Sequence, residues 1–394
     1  MKRLLFPISI LLILAIASCK KNYIQEKPAP PLLSDTTNNI RVVLAGSQLH
    51  IFYAALKKTG LDTLLHADKA FTIFAPTDAA FTAYGITAGS LDNLSTDSLS
   101  KLLQYHIVRG AFAYEGISSA VKNFTAPCLL KTTFFDSTKG YSVYQQRLFL
   151  LGRDHALMIN GDTAGNGEAP LAASNGYLYA IDKILQPPTR TLYQLIKSRP
   201  ELSYFLRACQ LNDSIYRSYQ YDIGQMDSSV FSRVNYNTEE QTSPITLLAP
   251  IDNAFLRSPF NNEDELRNYA NQWHPTAYGY TMLDALLRMH IVSGGSSGVL
   301  TGSDRVLLYN DLMGIPNINN GIFNITNRFP DLDYNTYLYV YYYLQYQRNN
   351  GVLDIRWGDD FLNGPAHILS TGKNIMALNG VIHEVDSLFY IQTQ

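Results

Sequence analysis

The sequence predicts an α+β protein built from one unit used twice, and three segments that recur in the same order predict it. Phe71 to Phe81 (FTIFAPTDAAF) matches Ile245 to Phe255 (ITLLAPIDNAF), 174 positions further on. Leu102 to Gly110 (LLQYHIVRG) matches Leu286 to Gly294 (LLRMHIVSG) at 184, and Asn175 to Asp182 (NGYLYAID) matches Asn379 to Asp386 (NGVIHEVD) at 204. A weaker match pairs Leu56 to Leu61 with Leu206 to Leu211 at 150. Collinear matches whose offsets grow describe a duplicated unit with insertions in the second copy. They place 24 extra residues before its first strand, 10 before its histidine helix and 20 before its last hairpin.

The chain opens with Lys2-Arg3 and a nearly unbroken apolar run from Leu4 to Ala17. That run suits a secretory core and is short for a membrane-spanning helix. It ends in Ile16-Ala17-Ser18-Cys19, which resembles the bacterial lipobox. The resemblance implies a signal peptide over 1–18, lipid attachment at Cys19 and a membrane hold through several acyl chains. Residues 19–35, with Pro28-Ala29-Pro30-Pro31, read as an extended tether. Lys20-Lys21 after the cysteine resembles lipoproteins of Bacteroidota-type bacteria. An outer-membrane lipoprotein facing the periplasm or the cell exterior is the expected location.

In each copy, a strand (Phe71 to Ala75) is ended by a proline and followed by a helix. Asp78 and Asp252 are kept while Thr77 is replaced by Ile251, so aspartate is expected to be the shared cap. Leu99, Leu102 and Leu103, like Leu283, Leu286 and Leu287, put His106 and His290 on the apolar face of a helix. A histidine there is expected to be a hydrogen-bonded core residue rather than a ligand. Asn175-Gly176 and Asn379-Gly380 read as two-residue hairpin turns, each leading into a half-buried strand.

Taken together these segments resemble the fasciclin (FAS1) domain signature, over roughly 36–188 and 190–394. The resemblance implies two tandem FAS1 domains, each a β-sandwich core with packed helices. It also implies adhesion as the function. In animal relatives the Tyr-His motif is associated with adhesion, including to integrins; Tyr105-His106 matches it, and Met289-His290 matches only its second half.

Composition narrows the chemistry. With 31 basic and 33 acidic residues there is no cationic footprint for nucleic acid. Cys128 and Cys209 fall in different copies and are expected to be buried free thiols. His383-Glu384 begins like a zinc-protease motif, but Ser387 stands where the second histidine belongs and the segment reads as a strand. Gly161 to Gly167 reads as a loop without phosphate-loop spacing. No serine sits in a nucleophile elbow, so no catalysis and no cofactor are expected.

Specific recognition is then expected in the insertions of the second copy. Tyr337 to Leu344 alternates so that Tyr337, Tyr339, Tyr341 and Tyr343 share one face. Such a face is either covered or an exposed stripe that stacks on sugar rings or docks a protein. Two readings follow: a lipid-anchored adhesion or interaction protein with a protein or polysaccharide partner, or a glycan-binding lipoprotein of a polysaccharide-uptake system. A hydrolase would need converging acid, base or nucleophile.

Overall fold

The computed structural model describes residues 38–65, 69–136, 140–167, 170–218, 231, 245–272, 281–292, 306–314, 322–333, 336–357 and 365–391. The first half runs α1 (Ile40–Ala45), α2 (His50–Thr59), β1 (Phe71–Pro76), α3 (Asp78–Ala83), α4 (Thr96–Tyr105), β2 (Ile107–Arg109), α5 (Tyr114–Ser118), β3 (Phe124–Asp136), β4 (Gly140–Arg153), β5 (Ala156–Ile159), β6 (Asp162–Asn166), β7 (Leu171–Ala173) and β8 (Gly176–Ile181). The second runs α6 (Leu192–Ser198), α7 (Ser203–Ser218), β9 (Ile245–Pro250), α8 (Asp252–Leu256), α9 (Glu263–Ala270), α10 (Met282–Met289), β10 (Ile291–Val292), α11 (Tyr309–Gly314), β11 (Ile322–Asp333), β12 (Thr336–Asn349), β13 (Val352–Trp357), β14 (Ile375–Ala377) and β15 (Gly380–Val385).

The eight strands of the first half form a single sheet in the order β6-β5-β4-β3-β2-β1-β8-β7. It curls back on itself: the Asp182 N–H donates to Ala164 O of β6 at 2.9 Å, bringing β6 onto the end of β8. What the resemblance implied as a sandwich is here two arms of one sheet. The bend falls at β3, which shifts register against β4 between Pro127 and Lys131 and touches β2 only at Cys128 opposite Val108. Phe74, Tyr105, Val108, Leu148, Leu157 and Tyr179 fill the inside of the curl. Phe52, Leu56, Phe81, Leu99 and Leu103 pack helices on the outer face of β1 and β8.

In the second half β9 lies between β10 and β15, with β14 outermost, and β11-β12-β13 form a separate three-stranded sheet. Isolated bridges Ile355–Ala366 and Ile368–Val385 tie the two sheets together. β15 is buried along its whole length, where a half-buried strand was expected, because it has one apolar cluster on each face.

Four expectations need correction. Thr77, not Asp78, caps α3: its side chain accepts the Ala80 N–H at 3.1 Å, and Ile251 leaves α8 without a side-chain cap. In each hairpin the glycine is the first residue of the strand, paired with Ala173 or Ala377, so the turns are Ser174-Asn175 and Leu378-Asn379. Neither asparagine has positive φ. Glycine is required by close approach instead, since a Cβ at Gly176 would stand 1.7 Å from Phe71 O, and one at Gly380 2.1 Å from Ile245 O. Residues 162–166 of the glycine-rich segment form edge strand β6 rather than a loop. The weak match at 150 is out of register. Phe52 and Phe205, which pack on the two histidines, are 153 apart, and a shift of three residues leaves a helix's apolar face unchanged. The first insertion shortens accordingly to 21 residues, and most of it lies outside the described residues.

Candidate functional site

The motif residues build the same hydrogen bonds in both halves. Asp78 Oδ1 accepts the Ile51 N–H at 2.9 Å and Asp252 Oδ1 the Tyr204 N–H at 2.9 Å. Each aspartate thus caps the neighbouring helix, α2 or α7, from outside it. Asp78 Oδ2 meets His50 Nδ1 at 3.0 Å, and Asp252 Oδ2 accepts from Ser203 Oγ at 2.6 Å. Asn175 Oδ1 accepts the Ile40 N–H and its amide donates to Lys69 O; Asn379 does the same between Leu192 and Phe231 O.

His106 and His290 are buried, at 1% and 0% exposure. The Leu185 N–H donates to His106 Nε2 at 2.9 Å, so the ring proton sits on Nδ1 and is given to Leu102 O at 2.8 Å. His290 repeats this with the Phe389 N–H at 3.1 Å and Leu286 O at 2.8 Å. Burial pulls both pKa values down to about 4, against a smaller upward pull from the carbonyl each ring faces. A proton on Nε2 would point at a backbone donor, so the rings are built to be neutral. His383 occupies the place of Tyr179. Where the Tyr179 hydroxyl donates to Phe112 O, His383 Nε2–H donates to Leu307 O, and its Nδ1 accepts the Asn374 N–H.

Tyr105 is fully buried, and its hydroxyl accepts from Asn160 Nδ2 at 3.0 Å. Neither Tyr105 nor His106 offers a surface to a partner, which corrects their expected role as contact residues: both close the core. The side chains of Tyr337, Tyr339, Tyr341 and Tyr343 lie outside the described residues. Their backbone belongs to β12, paired with β11 over its whole length. Cys19 also lies outside the described residues. Cys128 and Cys209 are buried free thiols, and burial pushes the Cys128 thiol up to about 12. Among the described residues no group of three or more His, Cys, Asp or Glu side chains could hold a metal ion.

Two features escaped the sequence reading. His367 bridges Asp354 through Nε2 and Asp386 through Nδ1, each at 3.0 Å. The carboxylates outweigh desolvation and hold its pKa above the ordinary value. Both ring nitrogens are engaged, so the group is an ionic clamp between β13 and the end of β15 and leaves no base free for chemistry.

The second feature joins the halves. Asp311 of α11 is buried, and its Oδ1 accepts the Asn123 N–H at 2.7 Å and the Asn123 side-chain amide at 2.8 Å. Asn374 donates to Asp162 Oδ1 at 3.1 Å. The connecting segment is held from both sides: Gln146 Nε2 donates to Pro188 O and the Leu378 N–H to Arg190 O. Along it opens a cleft of about 520 Å³, lined by Asp162, Lys183, Gln186, Pro187, Pro188 and Arg190 among others, with Asn374 and Met376 on the far side. Proximity in space, not spacing in sequence, assembles it.

Residues 47–187 match the family model of the Fasciclin domain. Over that segment the chain is similar to fasciclin-type proteins. Fasciclin-like arabinogalactan protein 12 of Arabidopsis thaliana is 29% identical over 167 residues, 41% of this chain and 61% of that protein. Transforming growth factor-beta-induced protein ig-h3 of Oryctolagus cuniculus is 28% identical over 160 residues, 40% of this chain and 20% of that protein. Protein sll1483 of Synechocystis sp. is 29% identical over 160 residues, 39% of this chain and 77% of that protein. The chain therefore spans less than two thirds of the first two relatives. A solved FAS1 domain pair from the insect cell adhesion molecule Fasciclin I aligns at 14% identity and a TM-score of 0.31, over 88% of this chain and 98% of that one.

Proposed function

We propose that the chain is a tandem pair of fasciclin-type domains, residues 36–188 and 190–394, acting as an envelope interaction protein without catalysis. One observation carries this reading. The polar groups that a chemical role would need, on Asp78, His106, Asp252 and His290, are each committed to a backbone partner at matched places in the two halves. Fixed positions that maintain architecture leave recognition to surfaces outside the motifs.

In this reading Cys19 carries the lipid, residues 19–35 form the tether, and the pair is held at the outer membrane with its binding surface turned to a protein or polysaccharide. Support comes from the lipobox-like segment and from Asp311 and Asn374, which bind one half to the other as a single presenting unit. The test is export in a Gram-negative host with an alkyne fatty acid label, followed by protease shaving of intact cells. The reading predicts label on wild type, none on Cys19→Ser, and binding of shaved-sensitive cells to a matrix-protein and glycan array. Label retained on Cys19→Ser would refute the anchor; an array with no hit above vector cells would refute the interaction role.

A further inference from the structure

Asparagine followed by glycine occurs seven times in the chain, and the fold treats these pairs unequally. Such a pair carries its own chemistry. The glycine nitrogen can close on the asparagine side chain, because no Cβ obstructs the approach and the backbone there turns freely. Five of the pairs lie among the described residues; Asn320-Gly321 and Asn363-Gly364 lie outside them.

Four of the five are held. Asn160 uses both ends of its amide, accepting the Phe149 N–H at 3.1 Å and donating to the Tyr105 hydroxyl at 3.0 Å. Asn175 and Asn379 do likewise, each spanning two backbone groups of other segments. In the fourth pair the nucleophile is tied instead: the Gly167 N–H donates to His155 O at 3.0 Å. Gly161, Gly167, Gly176 and Gly380 are also all buried.

Asn350-Gly351 is the exception. It forms the two-residue turn between β12 and β13, closed by Asn349 opposite Val352, with φ of 50° and 82°. Both residues are exposed, and a Cβ at Gly351 would meet nothing within 4 Å. Among the described residues neither the Asn350 side chain nor the Gly351 N–H makes a hydrogen bond. Water reaches the amide, and the turn can flex without disturbing a packed core.

We propose that Asn350 is a site of spontaneous deamidation, the one of these five that the folded chain leaves open. The Gly351 nitrogen gives up its proton to water and attacks Asn350 Cγ. A nitrogen–carbon bond forms, the Cγ–Nδ2 bond breaks, and ammonia leaves a succinimide ring behind. Water then adds to the ring at Cγ to give aspartate, or at the main-chain carbonyl to give isoaspartate. No electrons are exchanged, and water is the other reactant.

The product acts on the second sheet. Isoaspartate adds one methylene to the main chain, which a two-residue loop cannot absorb, because loop length sets strand register. Either product also adds a negative charge next to Asn349, whose amide holds Asp354 of the His367 clamp. The end of β12 and β13 therefore loosens as the protein ages. The site goes beyond the interaction role proposed above and needs neither the lipid anchor nor a partner.

The experiment is timed incubation of the full chain at neutral and at mildly alkaline pH. It is read by peptide-resolved mass spectrometry, with fragmentation that separates aspartate from isoaspartate. Asn350 should convert about tenfold or more faster than Asn160, Asn175 and Asn379, each of which must first break two hydrogen bonds. The rate should rise with pH, because the attacking nitrogen must lose a proton. In urea the four should convert at similar rates, since the fold makes the difference. Amide exchange at Val352 and Leu353 should be faster in the isoaspartate form, with β1 and β8 unchanged. Asn350→Gln, whose longer side chain cannot close the five-membered ring, should show no such change with age. Conversion of Asn350 no faster than the other three in the folded chain, or a difference that persists in urea, would overturn the site. Unchanged exchange at Val352 and Leu353 would overturn its effect on the hairpin.

Discussion

His106 Nε2 accepts the backbone N–H of Leu185, 79 residues away, and so fastens the segment leading from the first half into the second. Removing the ring leaves the buried Leu185 N–H without its acceptor, takes a donor from the part-buried Leu102 O and opens space beside Phe52. His106→Ala should therefore cost about 3 kcal/mol in a urea titration. His106→Gln, whose Oε1 can reach toward Leu185, should recover part of it. Hydrogen exchange at Leu185 should accelerate in His106→Ala while β12 is unaffected.

Acid should destabilise the protein through its buried imidazoles. His106, His290 and His383 have folded pKa values near 4, below the 6.5 of a free histidine. The unfolded chain therefore takes up protons first as pH falls. The stability they contribute is whole above pH 6.5 and is lost between 6.5 and about 4, by up to about 3 kcal/mol per ring. His367 has the opposite sign: its raised pKa gives stability that is whole below 6.5 and lost as pH rises through the folded value. Its side chain is 36% exposed, so solvent screens that effect and the acid loss dominates. Urea midpoints at pH 7.5, 5.5 and 4.5 should fall in that order.

Asp78 and Asp252 cap helices in which they do not lie. Asp78→Ala and Asp252→Ala should each cost about 1 kcal/mol. The loss should appear as faster amide exchange in the first turn of α2 and of α7, not in α3 and α8. Fraying of α3 and α8 with α2 and α7 intact would contradict the assignment.

Gly176→Ala and Gly380→Ala should be among the most damaging single changes in the chain, because each new methyl would enter the oxygen of a paired strand. Each should abolish soluble expression or lower the melting temperature by more than 10 degrees, in line with a loss of several kcal/mol. Gly60→Ala, at a left-handed position in open space, should be tolerated at a cost of about 1 kcal/mol.

Much of this frame was readable from the chain. The apolar runs around Phe71, Leu102 and Ile245, and the offsets between them, mark strand, histidine helix and final hairpin in both halves. What the pattern marks is burial, so it placed His106 and His290 in the core but could not say what their nitrogens hold. It likewise took the Asp78 carboxylate for a local cap, since the Ile51 N–H it binds is 27 residues away. A helical face repeats every three or four residues, so the match of α2 with α7 slipped by three. The cleft, the Asp311–Asn123 contact and the His367 clamp come from chain segments brought together only by folding, and no spacing announces them.

The histidines also offer the most direct test of the view that the shared motifs serve architecture. Long-range ¹⁵N–¹H correlation of the imidazole rings at pH 6.5 should find His106 and His290 neutral with the proton on Nδ1, and His383 neutral with the proton on Nε2. Rings that titrate near 6.5, or that carry the proton on the other nitrogen, would contradict it.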